Sequence, residues 1–387
     1  MRRIVFVAAH VVTRDVQSGG DILCAHVARE IARIRPQWEL VAIVPEFARE
    51  AYKEFFSSIV PLAANPGEPE RIAGRPAAIG GTWFSRLAPC AAALRESRPS
   101  LAFTTGDFFC DVRPAARVRR DLGIPWSGIV HHLNPHPFVR HNDIPVATAS
   151  YALQRWSLAT LRTRCDRVAV TTPRTLADLV RLGFEASRIS VVGAGIDLHR
   201  FALRTAPEGL PRVLWVHRLE PTKGVADLPA LIAALPERVH IEIVGGGAPA
   251  VRERLVQALE AAGVRERVTI HGFVDDASLD RLYAGASAFI SCSYEEGWGL
   301  SMAQALAVGL PCIAYDLPTY GQNFPGAIET VPVGDIAAFA RAVRAVLERG
   351  DTVGGRLRRR AVVADHSFAA VAERLAAAFE ASWDALI

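Results

Sequence analysis

Two carboxylates, a glycine-punctuated turn and a small-residue helix follow one another between Ser291 and Pro311, SCSYEEGWGLSMAQALAVGLP. Glu295 and Glu296 can accept hydrogen bonds from hydroxyl groups. Gly297-Trp298-Gly299 can turn backbone N–H groups toward a ligand. The helix expected from Leu300 to about Val308, stopped by Gly309 and Pro311, brings its positive end to the same place. The apolar run Ala286 to Ile290 reads as the strand that holds this turn. Strand, acidic turn and helix, in that order, gather groups for an anionic ligand at the carboxyl edge of an open α/β sheet. A crossover whose glycines only make the turn carries the same local pattern, so the other polar positions decide between the two.

Arg218-Leu219-Glu220-Pro221-Thr222-Lys223-Gly224 follows another apolar strand, and a helix is expected from Lys223 to Leu235. Two cations five residues apart at a helix N-terminus suit a diphosphate, although a solvated pair of surface charges has the same spacing. Lys53 and Lys223 are the only lysines in an arginine-dominated chain, which hints that the point charge of Lys223 is needed. Gly245 to Ala250 formally satisfies G-x-G-x-x-A after a strand. A dinucleotide site also requires an acidic residue at the end of the next strand, and Arg267 to His271 runs instead into Gly272-Phe273-Val274. No nicotinamide or flavin is therefore expected. In the first half, Gly19-Gly20 precedes a helix and permits close approach by a ligand, while His131, His132 and His136 cluster after a strand. Either feature can also be purely structural.

The elements needed to position these groups alternate through the whole chain. Strands are expected at Arg3–Ala9, Glu39–Val44, Leu101–Thr105, Trp126–His131, Arg167–Thr171 and Ile189–Ala194, then at Arg212–Val216, Val239–Val244, Arg267–His271, Ala286–Ile290 and Pro311–Tyr315. Helices fall between them, including one at Phe47–Phe56, whereas the Gly/Pro/Ala-rich residues 63–82 read as a surface loop. This alternation predicts doubly wound parallel sheets. At 387 residues the chain fits two domains, with a cleft expected between the carboxyl ends of their sheets. The expected division is 1–195, 196–366 and a last helix, 367–387, packing back toward the first domain. Gly195–Phe201 and Arg204–Pro211 read as linker.

Composition narrows the function classes. Half of the residues are apolar and 22% are charged, as in a globular chain, and a net charge of +4 gives no case for nucleic acid. The six cysteines form no C-x-x-C pair, which predicts free buried thiols, a reducing cytoplasmic setting and no metal site. No stretch approaches eighteen uninterrupted apolar residues, and the N-terminus runs straight into a strand, so neither a membrane span nor a signal peptide is expected. The arginine-rich segments Arg113–Arg120 and Arg356–Arg360 read as solvated helix faces, or as contacts to anionic lipid at the inner face of a membrane.

Taken together, Arg218-x4-Lys223-Gly224, Val244-Gly245-Gly246-Gly247, Gly272-Phe273-Val274 and Glu296-Gly297-Trp298-Gly299-Leu300 resemble the C-terminal domain of the retaining glycosyltransferases of family 4. Gly19-Gly20, Ile129-Val130-His131 and Val191–Phe201 are similar to the family's first-strand glycine loop, histidine strand and interdomain segment. The resemblance implies a GT-B fold, two Rossmann-like doubly wound domains facing across a cleft, and transfer of a sugar from a nucleotide-diphosphate donor with retention. It implies that Arg218 and Lys223 neutralise the leaving diphosphate, and that Glu296 and the Gly297–Leu300 backbone hold the donor sugar. Gln304 would lie by the ribose, Phe273 and Val274 by the base, and His131 against the sugar from the other domain. Trp298 is expected to be a rigid packing element within the donor site. No cofactor or metal is implied beyond the nucleotide sugar as co-substrate, and the acceptor is a glycan, a lipid-linked molecule or a small molecule.

Three positions depart from that pattern. Gln304 replaces the family's second glutamate, His217 replaces the glycine before Arg218, and His132 replaces an acidic residue after His131. An amide oxygen accepts hydrogen bonds without the charge assistance of a carboxylate, so Gln304 predicts altered donor binding. A nucleotide-sugar epimerase or phosphorylase of the same fold, or a donor-binding protein without turnover, are the alternatives.

Overall fold

The structure is a computed structural model describing residues 2–14, 18–65, 67–72, 75–138, 144–205 and 209–384. Its chain divides into two compact units. The first comprises the described residues up to 195 together with 368–384, and the second comprises those from 196 to 367.

In the first unit, seven strands run Arg2–Val7 (β1), Trp38–Pro45 (β2), Ser58–Leu62 (β3), Leu101–Thr104 (β4), Trp126–Val130 (β5), Arg167–Val170 (β6) and Ile189–Val191 (β7). They pair in parallel in the order β3-β2-β1-β4-β5-β6-β7. β1 is buried from Ile4 to Val7, as a strand covered on both faces must be. The helix Phe368–Asp384 packs on the helix Gly19–Ile34. Its Phe379 ring lies 5.0 Å from Phe103 and 6.1 Å from Phe6, and Trp383 Nε1 donates to the Ser100 carbonyl at 2.9 Å.

The second unit holds six parallel strands: Arg212–Val216 (β8), His240–Val244 (β9), Val268–Gly272 (β10), Ala288–Ser291 (β11), Cys312–Tyr315 (β12) and Ile328–Val331 (β13). Their order is β10-β9-β8-β11-β12-β13. In each sheet the order reverses beside the first strand, between β1 and β4 and between β8 and β11. Ligands of doubly wound sheets bind in the crevice outside the carboxyl ends of the strands at such a reversal.

Several local expectations change. The helix after β8 begins at Leu228, because Lys223 ends a 3-10 turn, Pro221–Lys223, and Gly224 takes φ +68°. Residues 63–82 are not one loop: they hold helix Glu68–Ile72 and most of Pro76–Ser85, with residues 66, 73 and 74 outside the described set. The expected helix Phe47–Phe56 is a short 3-10 and α turn, Glu46–Tyr52, ahead of β3. The segment read as linker is packed along the second unit. Phe201 is buried, and buried Arg204 pairs with Asp351 at 2.9 Å; residues 206–208 lie outside the described set.

The two arginine-rich segments also differ from each other. Arg356, Arg359 and Arg360 share one helix face and are consumed internally. Arg356 and Arg359 pair with Asp351, and Arg360 donates to the Leu198 carbonyl at 2.8 Å. Arg113, Arg117 and Arg120, by contrast, line a groove of about 350 Å³ together with Arg164. All six cysteines are buried and free. No helix among the described residues is long and apolar enough to cross a membrane.

Candidate functional site

The reversal point of the second sheet is built by two turns, one leaving β8 and one leaving β11. After β8, Gly224 lies so close to the next turn that a β-carbon there would stand 1.9 Å from the Cys292 carbonyl oxygen. After β11, the Tyr294 N–H donates to the Thr222 carbonyl at 2.9 Å. This contact brings Lys223 over the second turn, where its Nζ donates to Glu296 Oε1 and to the Glu295 carbonyl, both at 2.8 Å. Ser293 Oγ donates to the same Glu296 oxygen at 2.8 Å. The Lys223 and Glu296 side chains are only 16% and 10% exposed, so their ion pair is largely shielded from water. Burial opposes ionisation of Glu296, but the Lys223 ammonium and the other groups around the carboxyl, Ser293 among them, together outweigh it and hold the carboxyl below its usual range.

His217, at the carboxyl end of β8, places Nδ1 3.6 Å from Glu296 Oε1, with its ring against Trp215 at 5.0 Å. Burial drives its pKa down to about 4, so this imidazole is neutral at pH 7. The glycine run after β9 serves this corner as packing. A β-carbon on Gly245 would lie 1.8 Å from the His217 carbonyl oxygen, and one on Gly247 would lie 2.6 Å from Leu219. Close approach of two strand-end loops accounts for those glycines without a dinucleotide.

Of the other residues expected here, Gly299 takes φ +94° at the start of helix Leu300–Ala307 and contributes no capping side chain. The helix opens four residues after Glu296, and its first-turn N–H groups receive no cap from the Gly299 position. Trp298 is buried against Phe324 and His366, both 5.2 Å away, and its carbonyl accepts from Asn323 at 3.0 Å. Its ring is structural. Gln304 sits one turn into the helix, its Oε1 accepting from the Tyr283 hydroxyl at 3.1 Å. Phe273 stands 68% exposed beyond the end of β10, with Val274 beside it partly buried. Arg218 is not gathered into the buried pair: its side chain is 71% exposed and pairs with Glu220 at 2.7 Å. The helix dipole expected behind the two cations is also missing, since the helix starts beyond them.

At the reversal point of the first sheet, Ser18 caps the helix Gly19–Ile34 through Asp21 N–H at 3.1 Å. Gly20 faces His131 so closely that a β-carbon would stand 2.8 Å from its Nε2. The same Nε2 lies 2.9 Å from the Thr105 carbonyl, which can only accept, so Nε2 carries the proton and Nδ1 keeps its lone pair. Burial lowers the His131 pKa to about 4. Gly20 and His131, far apart in sequence, are therefore brought together.

Sequence reasoning missed the neighbouring cluster. His10 at the end of β1 binds Asp111 Oδ2 through Nδ1 at 2.7 Å and Asp21 Oδ1 through Nε2 at 3.1 Å. Burial works against charge on His10, yet the two carboxylates raise its pKa to about 10. Asp107, at the end of β4, accepts from Gln154 at 2.8 Å and is pushed up to about 6 by burial. The signal available for His10 was a histidine at a strand end, the position already weighed for His131.

The described residues contain no group of three or more His, Cys, Asp or Glu side chains arranged to hold a metal ion.

Comparison with known proteins covers nearly the whole chain. Residues 200–362 match the family model described as glycosyl transferases group 1, and residues 18–200 match the model described as Glycosyltransferase Family 4. A D-inositol 3-phosphate glycosyltransferase from Xylanimonas cellulosilytica is 31% identical over 189 residues, 44% of this chain and 43% of that protein. A 2-deoxystreptamine N-acetyl-D-glucosaminyltransferase from Streptomyces fradiae is 27% identical over 316 residues, 74% of this chain and 70% of that protein. The match thus spans less than half the length of the first relative. Among solved structures, a sucrose-phosphate synthase from Thermosynechococcus elongatus superposes with a TM-score of 0.80 at 20% identity over all of both chains. An Anabaena protein solved with UDP-glucose gives 0.77 at 15% identity, covering 98% and 100%. At these identities the structural likeness is one of fold.

Proposed function

The chain belongs to the glycosyltransferases of family 4, the glycosyl transferases group 1, with the GT-B fold, and on that premise we propose that it moves a sugar from a nucleotide-diphosphate donor to a hydroxyl-bearing acceptor. The observation that carries this reading is the shielded Lys223–Glu296 pair at the reversal point of the second sheet. A diphosphate is the ligand for which an ammonium at such an edge is suited. In this proposal Lys223 meets the leaving diphosphate, and Arg218 joins it by exchanging Glu220 for phosphate. Stabilising charge that develops on the leaving group is the main electrostatic term available to such a reaction. Glu296 and the Gly297–Leu300 backbone grip the donor sugar, Gln304 faces the ribose, and Phe273 and Val274 flank the base.

Retention and metal independence belong to the same proposal. With no protein nucleophile evident in the sequence, the acceptor attacks from the face the diphosphate leaves, and a phosphate oxygen takes its proton. Lys223, Arg218 and the N–H groups opening helix Leu300–Ala307 supply the positive charge. His131, neutral with its Nδ1 lone pair uncommitted to Thr105, accepts from a sugar hydroxyl. Relatives named for action on 2-deoxystreptamine and on inositol 3-phosphate support a small polyol among the acceptors considered, which include glycans and lipid-linked molecules. If the acceptor is lipid-linked, the arginine-lined groove at Arg113, Arg117 and Arg120 is the surface that would meet anionic lipid.

The test is release of nucleoside diphosphate from a panel of nucleotide sugars, with and without polyol acceptors, by wild type and by Lys223→Ala. Turnover by wild type and its loss in the variant is expected. Binding of a donor without release would leave a nucleotide-sugar-binding protein. A Lys223→Ala protein as active as wild type would refute the diphosphate role.

A further inference from the structure

The two turns at the reversal point of the second sheet are joined by the Tyr294 N–H to Thr222 carbonyl bond and by the Lys223–Glu296 pair. On the reading above, Lys223 turns part of its hydrogen-bonding capacity toward phosphate and Glu296 toward a sugar hydroxyl. The main-chain bond is left, and behind the pair there is also a side-chain tie that no ligand consumes.

Asp227 is the residue before helix Leu228–Ala233, a position where aspartate ordinarily caps the helix. Here its side chain makes no capping hydrogen bond. Instead a single oxygen, Oδ2, accepts from the Tyr294 hydroxyl at 2.6 Å and from the Tyr315 hydroxyl at 2.5 Å. Such lengths are those of charge-assisted O–H···O⁻ bonds, roughly twice as strong as neutral ones. Tyr294 immediately precedes Glu295 and Glu296, Tyr315 ends β12, and Asp227 lies four residues beyond Lys223 on the turn from β8. The two phenol rings sit 5.5 Å apart, with Tyr315 fully buried. One carboxylate therefore links the Lys223 turn, the Glu296 turn and the neighbouring strand.

We propose that Asp227, through Tyr294 and Tyr315, is a positioning residue that fixes Lys223 against Glu296 and keeps both turns in place when a nucleoside diphosphate binds.

The sequence makes the test direct, because Lys53 and Lys223 are the only lysines. Full-length protein labelled with ¹³C-lysine gives two Cε signals, assigned by Lys53→Arg. In Asp227→Ala the Lys223 signal should shift or broaden while Lys53 stays unmoved. UDP, used as the probe diphosphate, should bind about tenfold more weakly to this variant. Asp227→Asn keeps an oxygen that accepts from both phenols and should restore the Lys223 signal and most of the affinity. Should Asp227→Ala not fold, the Tyr294→Phe, Tyr315→Phe double variant removes the same bonds and should give the same changes. A Lys223 signal that is unmoved in the folded variants overturns the positioning role, whatever the activity. Failure of wild type to bind any nucleoside diphosphate would instead remove the functional reading, while the lysine signal would still report on Asp227.

Discussion

At the level of single residues, Lys223 has two roles that one substitution separates. Removing its ammonium leaves Glu296 a largely buried carboxylate that keeps the Ser293 hydroxyl but has lost its paired cation, and an uncompensated buried charge is costly. Lys223→Ala should lower the unfolding free energy by about 1–3 kcal/mol, read from the denaturant midpoint, besides abolishing diphosphate binding. Gln304 can be tested in the opposite direction. A carboxylate there would still accept from Tyr283 and could offer a charge-assisted bond to a ribose hydroxyl. Gln304→Glu should tighten donor binding by about fivefold, on the order of 1 kcal/mol; calorimetry showing weaker binding would place the ribose elsewhere. His10 makes a pH prediction. Its pKa is raised from 6.5 to about 10 by Asp111 and Asp21. A raised histidine contributes stability that is complete below pH 6.5 and disappears as pH climbs through 10. The stability gap between wild type and His10→Gln should therefore narrow between pH 7 and pH 10, and a gap unchanged with pH would exclude an imidazolium. Glu296, Lys223 and His131 could be picked out as candidates in sequence because each follows a strand in a pattern with chemical meaning, and Gly20 because paired glycines open a helix. His10, Asp21 and Asp111 were not, since the contacts that join them span up to 101 residues and leave no local spacing.

At the level of elements, the strands were the most legible part because fully covered parallel strands are short uninterrupted apolar runs, as in Ile4–Val7 and Ala288–Ile290. β3 escaped because Ser58–Leu62 lies at the sheet edge, is only partly buried and contains Pro61. The helix after β8 was placed too early because the residues from Lys223 to Leu235 keep a helical rhythm of apolar positions. Two signals against it were present: Gly224, which allows a left-handed turn, and Pro229, which belongs in a first helical turn. The displacement matters chemically, for it moves Lys223 from a helix start onto a rigid turn whose geometry depends on Gly224. At φ +68° any side chain is strained, and a β-carbon would meet the Cys292 carbonyl. Gly224→Ala should cost at least about 2 kcal/mol and should weaken UDP binding with it, because the turn cannot stay flush with Cys292. Wild-type stability in this variant, measured by denaturant unfolding, would show that the two turns are not in contact in solution.

At the level of the whole molecule, the two units are threaded differently, and this has an experimental consequence. The first unit needs two separated stretches of chain, since the Phe379 ring from the last helix completes the cluster around Phe6 and Phe103. The second unit is continuous from 196 to 367, and its ends are paired with each other: the Ile196 N–H donates to the His366 carbonyl at 2.8 Å, and Ile196 bridges Ser367. Its core runs without interruption from Val213 and Trp215 through Ile290 and Ile313 to Phe339 and Val343. Both turns of the proposed diphosphate site, together with Asp227, Tyr294 and Tyr315, lie within it. A fragment of residues 196–367 should therefore fold cooperatively, show the circular dichroism of an α/β domain, and bind UDP with an affinity reduced only by what groups outside it contribute. Residues 1–195 alone lack Phe379 and Trp383, and should expose the sheet face around Phe6 and Phe103 and bind a hydrophobic dye. The pair of fragments is the informative experiment. A 196–367 fragment that folds but binds no nucleoside diphosphate, while the full chain binds one, would move the essential cation out of the Lys223 turn and into the first unit.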